Sequence, residues 1–172
     1  MKGKVIIAIW IHVDDGIISS NCSEAIWNYK KRLFSRLDVK WKDSVSEIVG
    51  LECVFGEGEV AITQQFLTND FLDSYPWTVI HHDTPLPPSP AAGLGQDAAI
   101  TNSIPYWSVI SSLSFVVSGS RQDLAFAVFF LMRKSMGPMQ HQWLLLDHLV
   151  RYLLKTHNMS IISKHGLLSL SL

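Results

Sequence analysis

Apolar residues run unbroken from Val5 to Ile11, give way at His12-Val13-Asp14-Asp15-Gly16, and resume at Ile17 and Ile18. Two apolar runs around Asp-Gly predict a β-hairpin, because a glycine tolerates the positive φ of a tight primed turn. The turn is therefore expected at Asp14-Asp15-Gly16, with both carboxylates projecting from its tip. Ser23 then stands where it can cap a helix, with Glu24 in the first turn and Ile26, Tyr29, Leu33 and Leu37 along one face. Residues 39–41 read as a short strand, and 48–55 with 59–63 as a second hairpin across Gly56, Glu57 and Gly58. A helix over residues 65–75 is expected to stop at Pro76. Farther on, helical patterns cover 108–117, 123–134 and 140–156, punctuated by Gly119 and by Gly137-Pro138. In the last, Trp143, Leu146, Leu149, Val150 and Leu153 make an apolar stripe opposite His148, Arg151 and Lys155. The Ser/Leu-rich end, 161–172, reads as a frayed tail.

Composition changes this picture in one place. Six prolines fall within 76–105, including Thr84-Pro85-Leu86-Pro87-Pro88-Ser89-Pro90, together with Gly93 and Gly95. Proline removes donors and fixes φ, so this segment predicts an extended connector, wrapped on a surface or mobile. With 48% hydrophobic residues among 172, the chain can bury a sizeable core, and a net charge of -1 announces no global positive field for a polyanionic partner. Cys22 and Cys53 are too few and too far apart for a metal motif or a disulfide framework, which suits a reducing compartment. Lys2 and Lys4 ahead of the first apolar run imitate a signal peptide only faintly, and no run reaches the ~20 residues of a membrane-spanning helix. An intracellular, cytoplasmic or nuclear setting is expected, with no membrane partner. The sequons at Asn21 and Asn158 then read as chance matches.

Candidate chemistry is concentrated at Asp14 and Asp15. Two adjacent carboxylates repel, and a hard cation such as Mg²⁺ relieves that repulsion. Asp-Asp-Gly is equally a solvated turn for backbone reasons. Lys30, Lys31, Arg32 and Arg36, continued by Lys40 and Lys42, form a basic helix face that suits phosphates or plain solvent. His81-His82-Asp83 has metal-ligating residue types without a spaced partner, Trp143 and Tyr152 sit at helical spacing as core anchors, and Arg121 with Asp123 reads as a helix-start pair, Asp123 being the N-cap.

The order of these features resembles the carboxy-terminal half of a copia-type retrotransposon reverse transcriptase, particularly its fungal versions, over about residues 5–160. Val13-Asp14-Asp15 resembles that family's Tyr-Val-Asp-Asp motif, and Ile48-Val49-Gly50-Leu51-Glu52 its Phe-Leu-Gly-(Ile/Leu)-Glu strand. Thr84-Pro85-Leu86 is similar to its Thr-Pro-Leu segment, and residues 106–113 to Tyr-Arg-Ser-Leu-Ile-Gly-Ser-Leu. Residues 120–127 are similar to Thr-Arg-Pro-Asp-Ile-Ala-Phe-Ala, and His141-Gln142-Trp143 with residues 149–156 to His-His-Trp and Leu-Arg-Tyr-Leu-Lys-Gly-Thr. The departures are His12 for Tyr, Trp107 for Arg, Ser111 for Gly and Gln122 for Pro, as in a diverged copy.

The resemblance implies an α+β fold: a partial polymerase palm over 1–75 with antiparallel hairpins and helices, a Pro-rich connector over 76–105, a small helical thumb or connection region over 106–160 and a tail over 161–172. It implies that Asp14 and Asp15 are catalytic carboxylates holding Mg²⁺ for two-metal nucleotidyl transfer, and that Gly50, Leu51 and Glu52 belong to a primer grip. Lys30, Lys31, Arg32 and Arg36 would contact nucleic acid, with an RNA/DNA primer-template and a dNTP as partners. Only thirteen residues precede Asp14, whereas the family carries a further metal-binding Asp upstream. The chain is therefore expected to be a Pol fragment inactive by itself, with exposed sheet edges that favour self-association. The alternative is a noncatalytic nucleic-acid-binding or interaction remnant.

Overall fold

The computed structural model describes residues 4–74, 81–91 and 105–164. These residues form a mixed α+β protein with two antiparallel sheets and five α-helices, and the chain divides into two compact units between Val49 and Gly50.

The first unit is built on strands β1 (Ile7–His12) and β2 (Asp15–Ser20). The hairpin is present, but its turn lies one step earlier than Asp-Gly predicts: His12 pairs with Asp15 and Ile11 with Gly16, leaving Val13 and Asp14 as the loop. A continuous apolar run fixes no register by itself. The observed register sets Ile9 opposite Ile18 and Trp10 opposite Ile17, so apolar side chains meet across the strands. The cost falls on Val13, a β-branched residue held at φ 54. Gly16 is not the positive-φ residue; it is a strand position where an added Cβ would come within 3.2 Å of the Trp10 carbonyl oxygen. At the open end, the Ser20 hydroxyl donates to the Ile6 carbonyl at 2.6 Å, and the Asn21 side chain accepts from the Ile6 N–H and donates to the Lys4 carbonyl, both at 2.9 Å.

Helix α1 (Ser23–Phe34) follows. Cys22 rather than Ser23 is at the N-cap position, where no side chain caps it, and Ser23 is the first helical residue. The helix stops before Leu37, which is exposed. Residues 39–41 are not a strand. Instead the Trp41 indole N–H donates to the Asp43 carboxylate at 2.9 Å, which also takes the Lys30 ammonium at 3.1 Å, folding this loop onto the helix. The two-residue strand β3 (Glu47–Ile48) closes the unit. Val49 and Gly50 both take positive φ, so the predicted continuous strand 48–55 is broken there.

The second unit carries strands β4 (Leu51–Gly56) and β5 (Glu59–Thr63), joined through Gly58 at φ 75, and β6 (Ile161–Lys164), which pairs antiparallel with β5. Residues 161–164 are therefore an edge strand rather than a frayed end: half-buried Ile161 and Ser163 alternate with exposed Ile162 and Lys164 as the pleat requires, and Ile161 sits opposite Ile62, while the rest of the predicted tail, 165–172, lies outside the described residues. Helix α2 (Gln65–Asp73) ends when the Ser74 hydroxyl turns back to the Asp70 carbonyl, before the predicted stop at Pro76, which lies outside the described residues.

Helices α3 (Tyr106–Gly119), α4 (Ala125–Met132) and α5 (Gln140–Thr156) supply the core. Ile110, Leu113, Leu124, Val128, Leu131, Leu146, Leu149 and Leu153 are fully buried, each worth about 1.5–3 kcal/mol of apolar transfer. The stripe predicted on α5 is this core's wall, with Trp143 and Tyr152 partly buried against it. Asp123 is not an N-cap. It lies in a 3₁₀ turn (Gln122–Leu124) ahead of α4, and its carboxylate is occupied by Arg121. Of the Pro-rich connector, residues 81–91 are described and lie against the helical core through Leu86. No described helix is long and apolar enough to cross a membrane.

Candidate functional site

Asp14 occupies the loop of the first hairpin and Asp15 the first position of β2, and both are exposed. Neither has an ion-pair partner among the described residues. Directly opposed residues of an antiparallel pair point to one face, and side chains alternate along each strand. Asp15 thus shares a face with His12 and Trp10, whose rings stack at 5.8 Å between centroids and 9° between planes. The tip therefore offers two exposed carboxylates, of which Asp15 shares a face with the stacked rings, next to a valine at positive φ that is 87% exposed.

This arrangement suits a hard divalent cation in charge and in ligand type. It supplies two carboxylates and no more: among the described residues no group of three or more His, Cys, Asp or Glu side chains is placed to hold a metal ion. The same holds for His81-His82-Asp83. There Asp83 pairs with Lys155 and the His82 ring stacks on His148, so two members of the trio are engaged within the protein.

The basic face of α1 divides. Lys30 is tied to Asp43 and lies 4.9 Å from the Trp41 ring centroid, and Lys31 sits 3.5 Å over the Trp27 ring. The Lys30 hydrogen bond, then that of Trp41, holds the Asp43 carboxyl below its ordinary value. Arg32 and Arg36 are exposed. Trp27 lies one helical turn before Lys31, a spacing legible in the sequence, whereas the Lys30–Asp43 link depends on how the loop returns.

Gly50, Leu51 and Glu52 lie at the start of β4, in the other compact unit. Gly50 has φ 72, and a Cβ there would sit 3.6 Å from the Phe115 ring. Glu52 accepts from the Thr63 hydroxyl at 2.8 Å and from the backbone N–H groups of Gln65 and Phe66 at 3.2 and 3.1 Å. Its carboxylate therefore caps α2, whose own N-cap residue Gln64 offers no side-chain bond. Nothing in the local sequence signals this, because the acid is borrowed from β4, across the intervening strand β5.

A buried clamp was also not legible as such. Arg121, 3% exposed, donates to both oxygens of Asp123 and to the carbonyl and hydroxyl of Thr156 at 2.7–2.9 Å. It fastens the start of α4 to the last turn of α5. Burial alone would raise the Asp123 carboxyl, but the hydrogen bonds and charge of Arg121, with the Tyr152 hydroxyl, outweigh it and hold the group below its ordinary value.

No family model matches the chain, and no solved structure matches it. It is similar to the retrovirus-related Pol polyproteins from transposons RE1 and RE2 of Arabidopsis thaliana, 26% identical to each over 166 residues. The match takes in 96% of this chain and 11% of each relative, so the chain spans about a ninth of the length of the curated relatives it matches. The similarity supports a retrotransposon Pol origin.

Proposed function

We propose that the chain is a piece of the RNA-directed DNA polymerase of a copia-type retrotransposon Pol polyprotein, with the first unit and the β4–β5 hairpin as part of a palm and α3 to α5 as a thumb or connection region. The observation that carries this reading is the tip of the first hairpin: two exposed, unpaired carboxylates on adjacent residues in a chain similar to Pol polyproteins. Asp14 and Asp15 would hold Mg²⁺, which in nucleotidyl transfer lowers the barrier by activating the attacking hydroxyl and neutralising charge on the leaving pyrophosphate. What this chain's own residues contribute is binding and orientation. The hairpin register projects both carboxylates, His12 and Trp10 present ring faces beside Asp15, and Arg32 and Arg36 are free to meet phosphates of a primer-template. Gly50, Leu51 and Glu52 would form the primer grip, with the Glu52 carboxylate fixing β4 against α2 as its cap.

Two carboxylates without a third ligand do not complete a cation site, so the 172-residue chain is expected to bind primer-template without extending it. The reading as a noncatalytic nucleic-acid-binding remnant rests on that same incompleteness. Fluorescence anisotropy with an RNA/DNA primer-template tests the shared part. Binding should weaken steeply with salt, and R32Q/R36Q should shallow the log–log salt slope by about 1 for each phosphate contact removed. Binding that is absent, or indifferent to salt and to those substitutions, would contradict the assignment.

A further inference from the structure

We propose that residues 81–91 form a pH-released strap across α5, latched by the stacked imidazoles of His82 and His148. The described attachments of this segment are to the helical core of the second unit. The His82 and His148 rings lie face to face, 3.7 Å between centroids and 9° between planes. The His148 Nε2 is 2.9 Å from the Thr84 carbonyl oxygen, so that nitrogen carries the hydrogen. Asp83 pairs with Lys155, two turns beyond His148 on α5; His141 Nε2 meets the Pro90 carbonyl oxygen at 2.9 Å, and Leu86 packs on the core. Prolines 85, 87, 88 and 90 line a recess of about 400 Å³ with Asp123, Phe126 and Ala127 at the start of α4. The strap is thus the wall of that recess, and lifting it uncovers the seat of Leu86.

Two imidazoles at van der Waals stacking distance tolerate two positive charges poorly, since the charges approach face to face with no room for water between them, and a first charge on His148 is opposed by the desolvation of its ring. The groups facing His148 work in both directions. Its own helix supplies Asp147, which favours its protonation, and Arg151, which opposes it; from the strap come His82, which opposes it, and the Thr84 carbonyl, which favours it. Desolvation is the largest influence, followed by the charge of His82, and together they hold His148 below the ordinary imidazole value of 6.5. Docking therefore disfavours the proton. The strap is fully held above pH 6.5 and loosens as the pH falls below it toward the lower docked value. The remaining ionic latch does not change in that window. Lys155 holds Asp83 below its ordinary carboxyl value, so that pair remains charged until far more acidic conditions. Protonation of His148 sets the release, and the Asp83–Lys155 pair keeps the strap close once released.

NMR of the isotopically labelled full chain tests this between about pH 7.5 and 5.0, spanning the imidazole range, by following the Leu86 methyl groups and the rings of His82 and His148. The Leu86 methyl shifts should move to those of a solvent-exposed leucine with the midpoint of the His148 ring titration, while the methyls of Leu146 and Leu149 stay in place. In H148N, which retains a donor toward Thr84 but cannot charge, Leu86 should keep its docked shifts to the acid end of that range. H82N removes the facing charge but leaves His148 to protonate, so it should weaken the acid release and move it to lower pH, and it decides the matter if H148N leaves Leu86 undocked even at the alkaline end. The proposal is overturned if His148 titrates while Leu86 stays docked, or if Leu86 undocks over the same range in H82N and H148N as in the natural chain.

Discussion

Glu52 and Arg121 are polar side chains whose value lies in what they complete. Glu52 satisfies two orphan N–H groups of α2 from another element, so E52A should cost about 1–2 kcal/mol in urea unfolding, with E52Q recovering part of the loss; an unchanged midpoint would remove the capping role. R121A removes the buried guanidinium that joins the exposed Asp123 to the half-buried Thr156 and should cost about 1–2 kcal/mol. R121K should recover little, because an ammonium cannot span the Asp123 fork and Thr156 together. The Asp123 carboxyl, held low in the folded state, contributes stability that is present above its ordinary value of 3.8 and is lost as pH falls through the lower folded value. Acid titration of unfolding should therefore show a drop below about pH 4 that flattens in D123N. Neither residue announced its role in the sequence. Arg121 and Asp123 were legible as a pair, but Thr156 lies 35 residues away, and a cap taken from a neighbouring strand has no local signature.

The elements themselves were more legible than their ends. The stripe of α5 marked that helix because its leucine and valine positions at helical spacing have a core to face, and the Gly58 turn joined β4 to β5 because a positive φ there suits glycine. The Asp-Gly signal misplaced the first turn because cross-strand apolar pairing outweighed turn chemistry and shifted the loop onto Val13 and Asp14. That conflict can be measured. V13G should relieve the left-handed strain and slow hydrogen exchange of the β1 amides, by up to about 1 kcal/mol. G16A should do the opposite, since a Cβ 3.2 Å from the Trp10 carbonyl oxygen makes a tight contact that the paired β1 backbone has to yield to by a few tenths of an ångström. If V13G accelerates exchange while G16A is silent, the pairing of His12 with Asp15 is wrong. The strand at 161–164 was hidden for a related reason: four residues carry too little pattern to read until β5 offers them an edge.

The two compact units differ in how they are held. Every buried side chain among the described residues belongs to the second, whereas the first leaves Ile9, Trp10, Ile11 and Trp27 exposed. In hydrogen exchange under mild urea, β1, β2 and α1 should therefore open well before α3 to α5, and one shared transition would contradict that division. Asp14 and Asp15 were legible as adjacent carboxylates at a hairpin, whereas which side chains stand beside them was not, because that depends on the strand register. The proposed role of this tip is tested by whether its two carboxylates attract a divalent cation, which they can do weakly although two ligands do not complete a catalytic site. Paramagnetic line broadening by Mn²⁺ in NMR of the full chain decides it: broadening should centre on residues 12–16 and vanish in D14N/D15N, and broadening centred elsewhere, or unchanged in that variant, would contradict it.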